Sequence, residues 1–221
     1  MRALAIVSGG KDSIYAFWLM LQQGFEIKKW ITFIPKIKES YMLHSINVEH
    51  VSLQAKLSKV KHKEIFVSGK KEEEVIEMLH YLKVQKEKLG IQALISGAVR
   101  SEYQKHRLDF ICHELNIASY APLWHKNSER LLKEIIEHGF EFIIVYGFEE
   151  LENWIGTKIT QENVHAFIKD LKKHGCDISG EGGEYETFVV KTPFWKKEIK
   201  VKGKKLKQEN AIKFLIEKVY V

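Results

Sequence analysis

A chain of 221 residues, 45% hydrophobic and 29% charged, can bury one large core or two modest ones, and its even mixture excludes a disordered polypeptide. Its 35 basic and 29 acidic side chains leave a formal charge of +6, a mild surplus that suits an anionic ligand or an RNA-attached partner without demonstrating either. Cys112 and Cys176 fall outside any zinc-type spacing, and no apolar run approaches the ~20 residues of a membrane span, so the sequence predicts a cytoplasmic protein with no membrane partner.

The first half alternates apolar runs with helical periodicity. Ala3 to Val7 reads as a buried strand stopped by Ser8-Gly9-Gly10. Ile14, Phe17, Trp18 and Leu21 then mark one helix face, closed by Gly24. Further strands are expected at Ile27–Ile34, Glu64–Val67, Ala93–Ser96 and Ile117–Tyr120, with a weak helix over Val48–Ser58. Stronger helices carry Val75, Met78, Leu79 and Leu82, and Leu108, Ile111, Cys112 and Leu115. Strands separated by helices imply a parallel, Rossmann-like α/β sheet whose ligands bind at the carboxyl ends of the strands. The turns at 8–10 and 96–98 both lie at such ends.

The second half, from a boundary near residue 122, reads as a smaller α+β domain. Helices carry Leu131, Leu132, Ile135 and Ile136, then Val164, Phe167, Ile168 and Leu171. Strands are expected at Phe140–Tyr146, Thr187–Lys191, Glu198–Val201 and around Phe214–Val221, and the run Lys196–Lys207 reads as a solvated hairpin face. This divides the chain into a nucleotide-binding domain at 1–122 and a substrate-binding domain at 123–221.

SGGKDS at 8–13 follows a strand and opens a helix. Glycines there let backbone N–H groups turn toward an anion, and the helix N-terminus adds partial positive charge. Ser8 and Ser13 add hydroxyls and Lys11 a full charge. Neither the Walker loop nor GxGxxG matches. The segment resembles the SGGxDS loop of the N-type ATP pyrophosphatases, in which it holds the pyrophosphate portion of ATP. That resemblance implies that Ser8, Gly9, Gly10, Lys11, Asp12 and Ser13 cradle phosphates, with Asp12 near Mg²⁺. It also implies that Thr32, Phe33 and Ile34 read adenine and that Gly97-Ala98 closes over the nucleotide.

Three further segments, YMLHSIN at 41–47, GAVRSEYQKHRLDFIC at 97–112 and GEGGEYET at 180–187, resemble the diphthine–ammonia ligase family over nearly the whole chain. The implied reaction is ATP-dependent amidation of diphthine on elongation factor 2 by ammonium, through an acyl-adenylate, with release of AMP and pyrophosphate. No nucleic acid is required, and a homo-oligomer is left open. Asp12, Glu184 and Glu186 are then the expected catalytic residues. Glu181, Gly182, Gly183, Tyr185 and Thr187 are expected on the substrate, together with Tyr103 and Gln104 in the first turn of their helix. The ring faces of Tyr185 and Tyr103 suit the trimethylammonio group, and the clustered glutamates suit either that cation or Mg²⁺. Arg100 and Arg107 each stand where a phosphate is within reach, whereas Trp124 suits packing at the domain junction. His44 is as readily a structural histidine as a site residue. Cys176, next to Gly175, has no glutaminase domain around it, which leaves free ammonium as the nitrogen source. Rival readings are a tRNA-modifying enzyme of the same superfamily and a nucleotide-sensing module. The phosphate loop and the acidic glycine-rich segment are expected to share one cleft.

Overall fold

The computed structural model describes residues 1–37, 43 and 46–221. His44 and most of the YMLHSIN segment lie outside the described residues. The chain forms two compact units. The first comprises Met1–Ser8 and Asp12–Trp124; the second comprises His125–Val221 together with the three residues Gly9–Lys11.

The first unit is built on five strands, β1 (Arg2–Ile6), β2 (Glu26–Pro35), β3 (His62–Val67), β4 (Ala93–Ile95) and β5 (Ala118–Tyr120). All neighbours pair in parallel, in the order β3-β2-β1-β4-β5. The strand order therefore reverses between β1 and β4, the place where open α/β sheets bind ligands beyond their carboxyl ends. Helices α1 (Lys11–Gln22), α2 (Val51–Leu57), α3 (Glu73–Leu89) and α4 (Glu102–Glu114) make the crossovers. Leu4, Ile31 and Phe33 from the sheet pack with Val75, Met78 and Leu82 of α3 and Leu108, Ile111 and Cys112 of α4 in one core. Helix α1 departs from the expected face: Tyr15, Ala16 and Met20 are buried with Ile14 and Phe17, while Leu21 is 40% exposed. A short helix buried on more than one side carries no clean periodicity to read. The weak helical signal at 48–58 resolves into a 3₁₀ turn at Val48–His50 and the two-turn α2.

The second unit folds around α5 (Ser128–Glu137), β6 (Glu141–Phe148), β7 (Lys158–Ile159), α6 (Val164–Lys173), β8 (Tyr185–Lys191), β9 (Lys200–Gln208) and β10 (Ala211–Tyr220). Its sheet runs β7-β6-β10-β9 with β8 also on β6, and the strand pairs are antiparallel. Both helices bury the faces their spacing predicts, Leu131, Leu132, Ile135 and Ile136 on α5 and Val164, Phe167, Ile168 and Leu171 on α6. The last two strands, expected as short segments, form a ribbon of nine and ten residues. Lysine recurs along both strands of that ribbon and masks the alternation that marks a strand.

Candidate nucleotide and substrate site

In the first unit the sheet carries the chain to the reversal point. Val7 extends the pairing by donating its N–H to Ile31 O (3.0 Å), and the loop then turns. The Ser8 N–H donates to Ser13 Oγ (3.2 Å), and the two hydroxyls stand 3.4 Å apart. Gly9, at φ +88°, takes the left-handed conformation that glycine adopts without steric cost. Asp12 lies in the first turn of α1, where the helix dipole favours anions.

Gly97, just past β4, meets this turn. A Cβ on it would lie 2.6 Å from Ser13 N and 2.7 Å from Asp12 C and Ser13 Cα. The backbone of one loop is thus pressed against the backbone of the other, which only glycine permits. Ala98 is buried behind it. Ser96 is also buried, and its hydroxyl has no hydrogen-bond partner among the described residues. A buried hydroxyl in that state at the reversal point suits a polar ligand. In the sequence Ser96 is only the last residue of a strand, and its place at the carboxyl end of β4 is the one signal of a site role.

Several expected contacts are already spent. Thr32 is buried, donates its hydroxyl hydrogen to Val7 O (2.6 Å) and lies 2.8 Å from His62 Nε2. That geometry assigns the Nε2 hydrogen to His62 as donor, and burial pushes the His62 pKa down, favouring the neutral ring. Phe33 belongs to the core and meets Tyr81 edge-on. The Thr32 and Phe33 side chains are therefore structural, and β2 runs on past the half-buried Ile34 to Pro35. Arg107 pairs with Glu72, and its guanidinium carbon sits 3.5 Å from the Tyr103 ring centre. Arg107 is thus engaged in an ion pair and covers a face of Tyr103. Gln104 gives its N–H to Ser101 Oγ, the N-cap of α4 (3.3 Å), while Arg100 is exposed. Trp124, the last residue of the first unit, has Lys105 Nζ 5.9 Å from its ring centre.

In the second unit, Gly9–Lys11 lies along the glycine-rich segment. The Lys11 N–H donates to Thr187 Oγ1 (3.0 Å), and Val189 N–H donates to Gly9 O (3.0 Å). Lys11 is only 3% exposed; its ammonium donates to Ser179 O (2.7 Å) and lies 5.0 Å from the Tyr185 ring centre. The charge expected on phosphate thus also anchors the loop, and a face of Tyr185 meets Lys11. Tyr185 is itself buried and donates its hydroxyl to Ile178 O (2.6 Å), so it is core rather than a platform for a soluble cation.

The glutamates take different roles. Glu184 Oε1 accepts the Asp177 N–H (3.1 Å), and Asp177 in turn accepts from Ser179 N–H (2.7 Å) and its hydroxyl. A Cβ on Gly182 would meet Glu184 Oε1 at 2.5 Å, so the carboxylate folds back over that glycine as a staple of the 177–184 turn. Glu186 pairs in register with Tyr146, and its charge adds to burial in raising the Tyr146 pKa. Glu181 is partly exposed, and Gly182 and Gly183 are exposed. Among the described residues no three His, Cys, Asp or Glu side chains gather as a metal site. The Cys176 thiol is pushed up first by burial and then by Glu184, Glu150 and Asp170, which keeps it protonated. Burial pushes Cys112 up to about 11.

The family descriptions "Diphthamide synthase N-terminal domain" and "Diphthamide synthase C-terminal domain" match residues 1–119 and 127–220. The chain belongs to the diphthamide synthase family. Relatives named diphthine–ammonia ligase include one from Rattus norvegicus, 31% identical over 91% of this chain and 83% of the relative. Another, from Bos taurus, is 30% identical over 97% and 88%. A diphthine–ammonia ligase of Saccharomyces cerevisiae is 24% identical, and the match covers only 33% of its length. Among solved structures, a chain described as a predicted subunit of tRNA methyltransferase from Methanocaldococcus jannaschii aligns with a TM-score of 0.46 at 19% identity. The alignment spans 87% of this chain and 98% of that one, a likeness too loose to argue from. As a diphthamide synthase the chain is a ligase. No helix of the described residues is long and apolar enough to cross a membrane.

Proposed function

We propose that this chain amidates diphthine on elongation factor 2, using ammonium and ATP and releasing AMP and pyrophosphate. The observation that carries the reading is the SGGKDS loop at the reversal of strand order, with Gly97 pressed against its first helical turn. Relatives that span most of the chain bear the corresponding ligase name.

In this reading the N–H groups and hydroxyls of Ser8, Gly9, Gly10 and Ser13 hold the phosphates, and Ser96 adds a buried hydroxyl beside them. A helix N-terminus and a turn of glycines suit that charge. Asp12 would hold Mg²⁺, an ion that rarely takes an all-protein cage. Bound Mg²⁺ would offset charge on the departing pyrophosphate. The diphthine carboxylate attacks the α-phosphorus, the bond to the β-phosphate oxygen breaks, and an acyl-adenylate forms. Ammonia then attacks the acyl carbon, AMP leaves with the bond to the carbonyl carbon, and Glu186 takes the proton shed by the nitrogen. Glu184, tied to Asp177, shapes the segment in which Glu186 stands. The raised Cys176 thiol fits a chain that takes free ammonium rather than ammonia from a glutaminase step.

The test incubates the chain with ATP, ammonium and diphthine-bearing elongation factor 2, following AMP release and amidation by mass. Asp12→Ala should abolish AMP formation with the fold intact; Glu186→Ala should spare ATP binding and stop amidation. AMP formed only with tRNA would replace the substrate, and nucleotide binding without turnover on any partner would reject catalysis.

A further inference from the structure

One face of the β9–β10 ribbon is rich in lysine. The register places Lys200 opposite Tyr220, Lys202 opposite Lys218, Lys204 opposite Leu215 and Leu206 opposite Lys213. Side chains two apart on a strand share a face, and the bulge at Glu217 keeps Lys218 on the face of Leu215, so these eight residues form one surface. The other face looks inward: Phe214 lies against Gly156 and Gly203, and Ile212 and Ile216 are buried.

The two faces treat their lysines differently. On the inward side Lys207 pairs with Glu149 at 3.1 Å and Lys205 donates to Glu152 O at 3.0 Å. On the outer side one acid, Glu217, serves five lysines; it pairs with Lys204 at 2.8 Å. Lys200, Lys202, Lys213 and Lys218 make no ion pair or hydrogen bond among the described residues. Lys202 and Lys218 stand directly across from each other, and like charges so placed destabilise a sheet. Leu206 (38% exposed) and Tyr220 (48% exposed) lie on the same face.

We propose that this face binds single-stranded RNA through its phosphate backbone, independently of sequence and of the nucleotide chemistry above. Lysines two apart recur about every 6.7 Å, a spacing of the same order as the phosphates of an extended strand. Tyr220 gives a base a ring to stack on. The choice of basic residue separates nucleic acid from protein. No arginine follows Arg130, and protein interfaces are enriched in arginine and depleted in lysine, while lysine serves phosphate as a point charge. Glu217 separates RNA from DNA: its carboxylate repels phosphate but accepts a hydrogen bond from a ribose 2′-hydroxyl.

The experiment measures fluorescence anisotropy of a labelled mixed-sequence 20-nucleotide RNA with the full chain, without ATP, over a salt series. Four lysines outside any ion pair, two of them reached by the Glu217 charge at longer range, predict a slope of log K against log salt of about −2.8 for a single strand. Lys202→Gln with Lys218→Gln should bring it to about −1.4 and weaken binding roughly 25-fold at ~0.1 M salt. Lys205→Gln, on the inward face, should change neither by more than the loss of one distant charge. DNA of the same sequence should bind more weakly than RNA. Failure of the double variant to weaken binding would overturn the proposal, as would equal affinity for DNA or displacement of the RNA by a poly-glutamate peptide at lower concentration than by unlabelled RNA. ATP turnover by the double variant is measured in parallel, so failure of the ligase reading is scored separately.

Discussion

Replacing Gly97 by alanine tests whether the two loops meet as described. The new Cβ would lie 2.6 Å from Ser13 N and 2.7 Å from Asp12 C and Ser13 Cα. That is about 0.8 Å inside ordinary contact, and every atom it meets is backbone, so no side chain can swing away. Either α1 slides outward at its first turn or the strand end withdraws. Overpacking of this kind costs about 1–3 kcal/mol, which for a chain of this size lowers Tm by roughly 2–12 °C. The functional loss should exceed the stability loss, because the displaced atoms include the Asp12 and Ser13 backbone. Differential scanning calorimetry of Gly97→Ala with isothermal titration of ATP reads both quantities. A variant with unchanged Tm and unchanged ATP affinity would refute the close approach and the phosphate-binding role built on it.

Two other substitutions probe buried polar contacts. Lys11→Met should remove the ammonium from Ser179 O and leave that carbonyl short of a donor, costing about 1–3 kcal/mol in a urea titration; an unshifted midpoint would mean the ammonium anchors nothing. His62, its pKa pushed down by burial, binds fewer protons folded than unfolded just below its ordinary value of 6.5. Its contribution is therefore complete above that pH and fades as pH falls through it. His62→Gln should flatten the decline in stability as pH falls below 6.5, and an unaltered slope in the variant would assign the decline elsewhere.

Much of the first unit was legible because its signals are local. β1 and the SGGKDS turn, α3 with Val75, Met78 and Leu82, and α4 with its Ser101 cap all follow from period and punctuation. The site was less legible because side-chain partners are set by tertiary contacts. The resemblance implies Thr32 as a ligand contact, and residue type suggests Tyr103 and Arg107, yet Val7 O takes the Thr32 hydroxyl, the Arg107 guanidinium covers the Tyr103 ring and Glu72 pairs with Arg107. The ring face of Tyr185 suits a cation by residue type. Being the first residue of β8, it alternates into the core instead. Ser96 went unnoticed because serine at a strand end is ordinary, and only its unsatisfied hydroxyl distinguishes it.

The three residues Gly9–Lys11 set an order of events during synthesis. They leave the ribosome well before their partners: the Ser179 carbonyl that accepts from the Lys11 ammonium is 168 residues later and the Thr187 hydroxyl that accepts from its N–H is 176 residues later. The preceding strands can pair and collapse while translation continues, since units nearer the start fold first. The turn itself reaches its final bonded state only after β8 has been made, so its geometry is completed only when the second unit's sheet is being assembled.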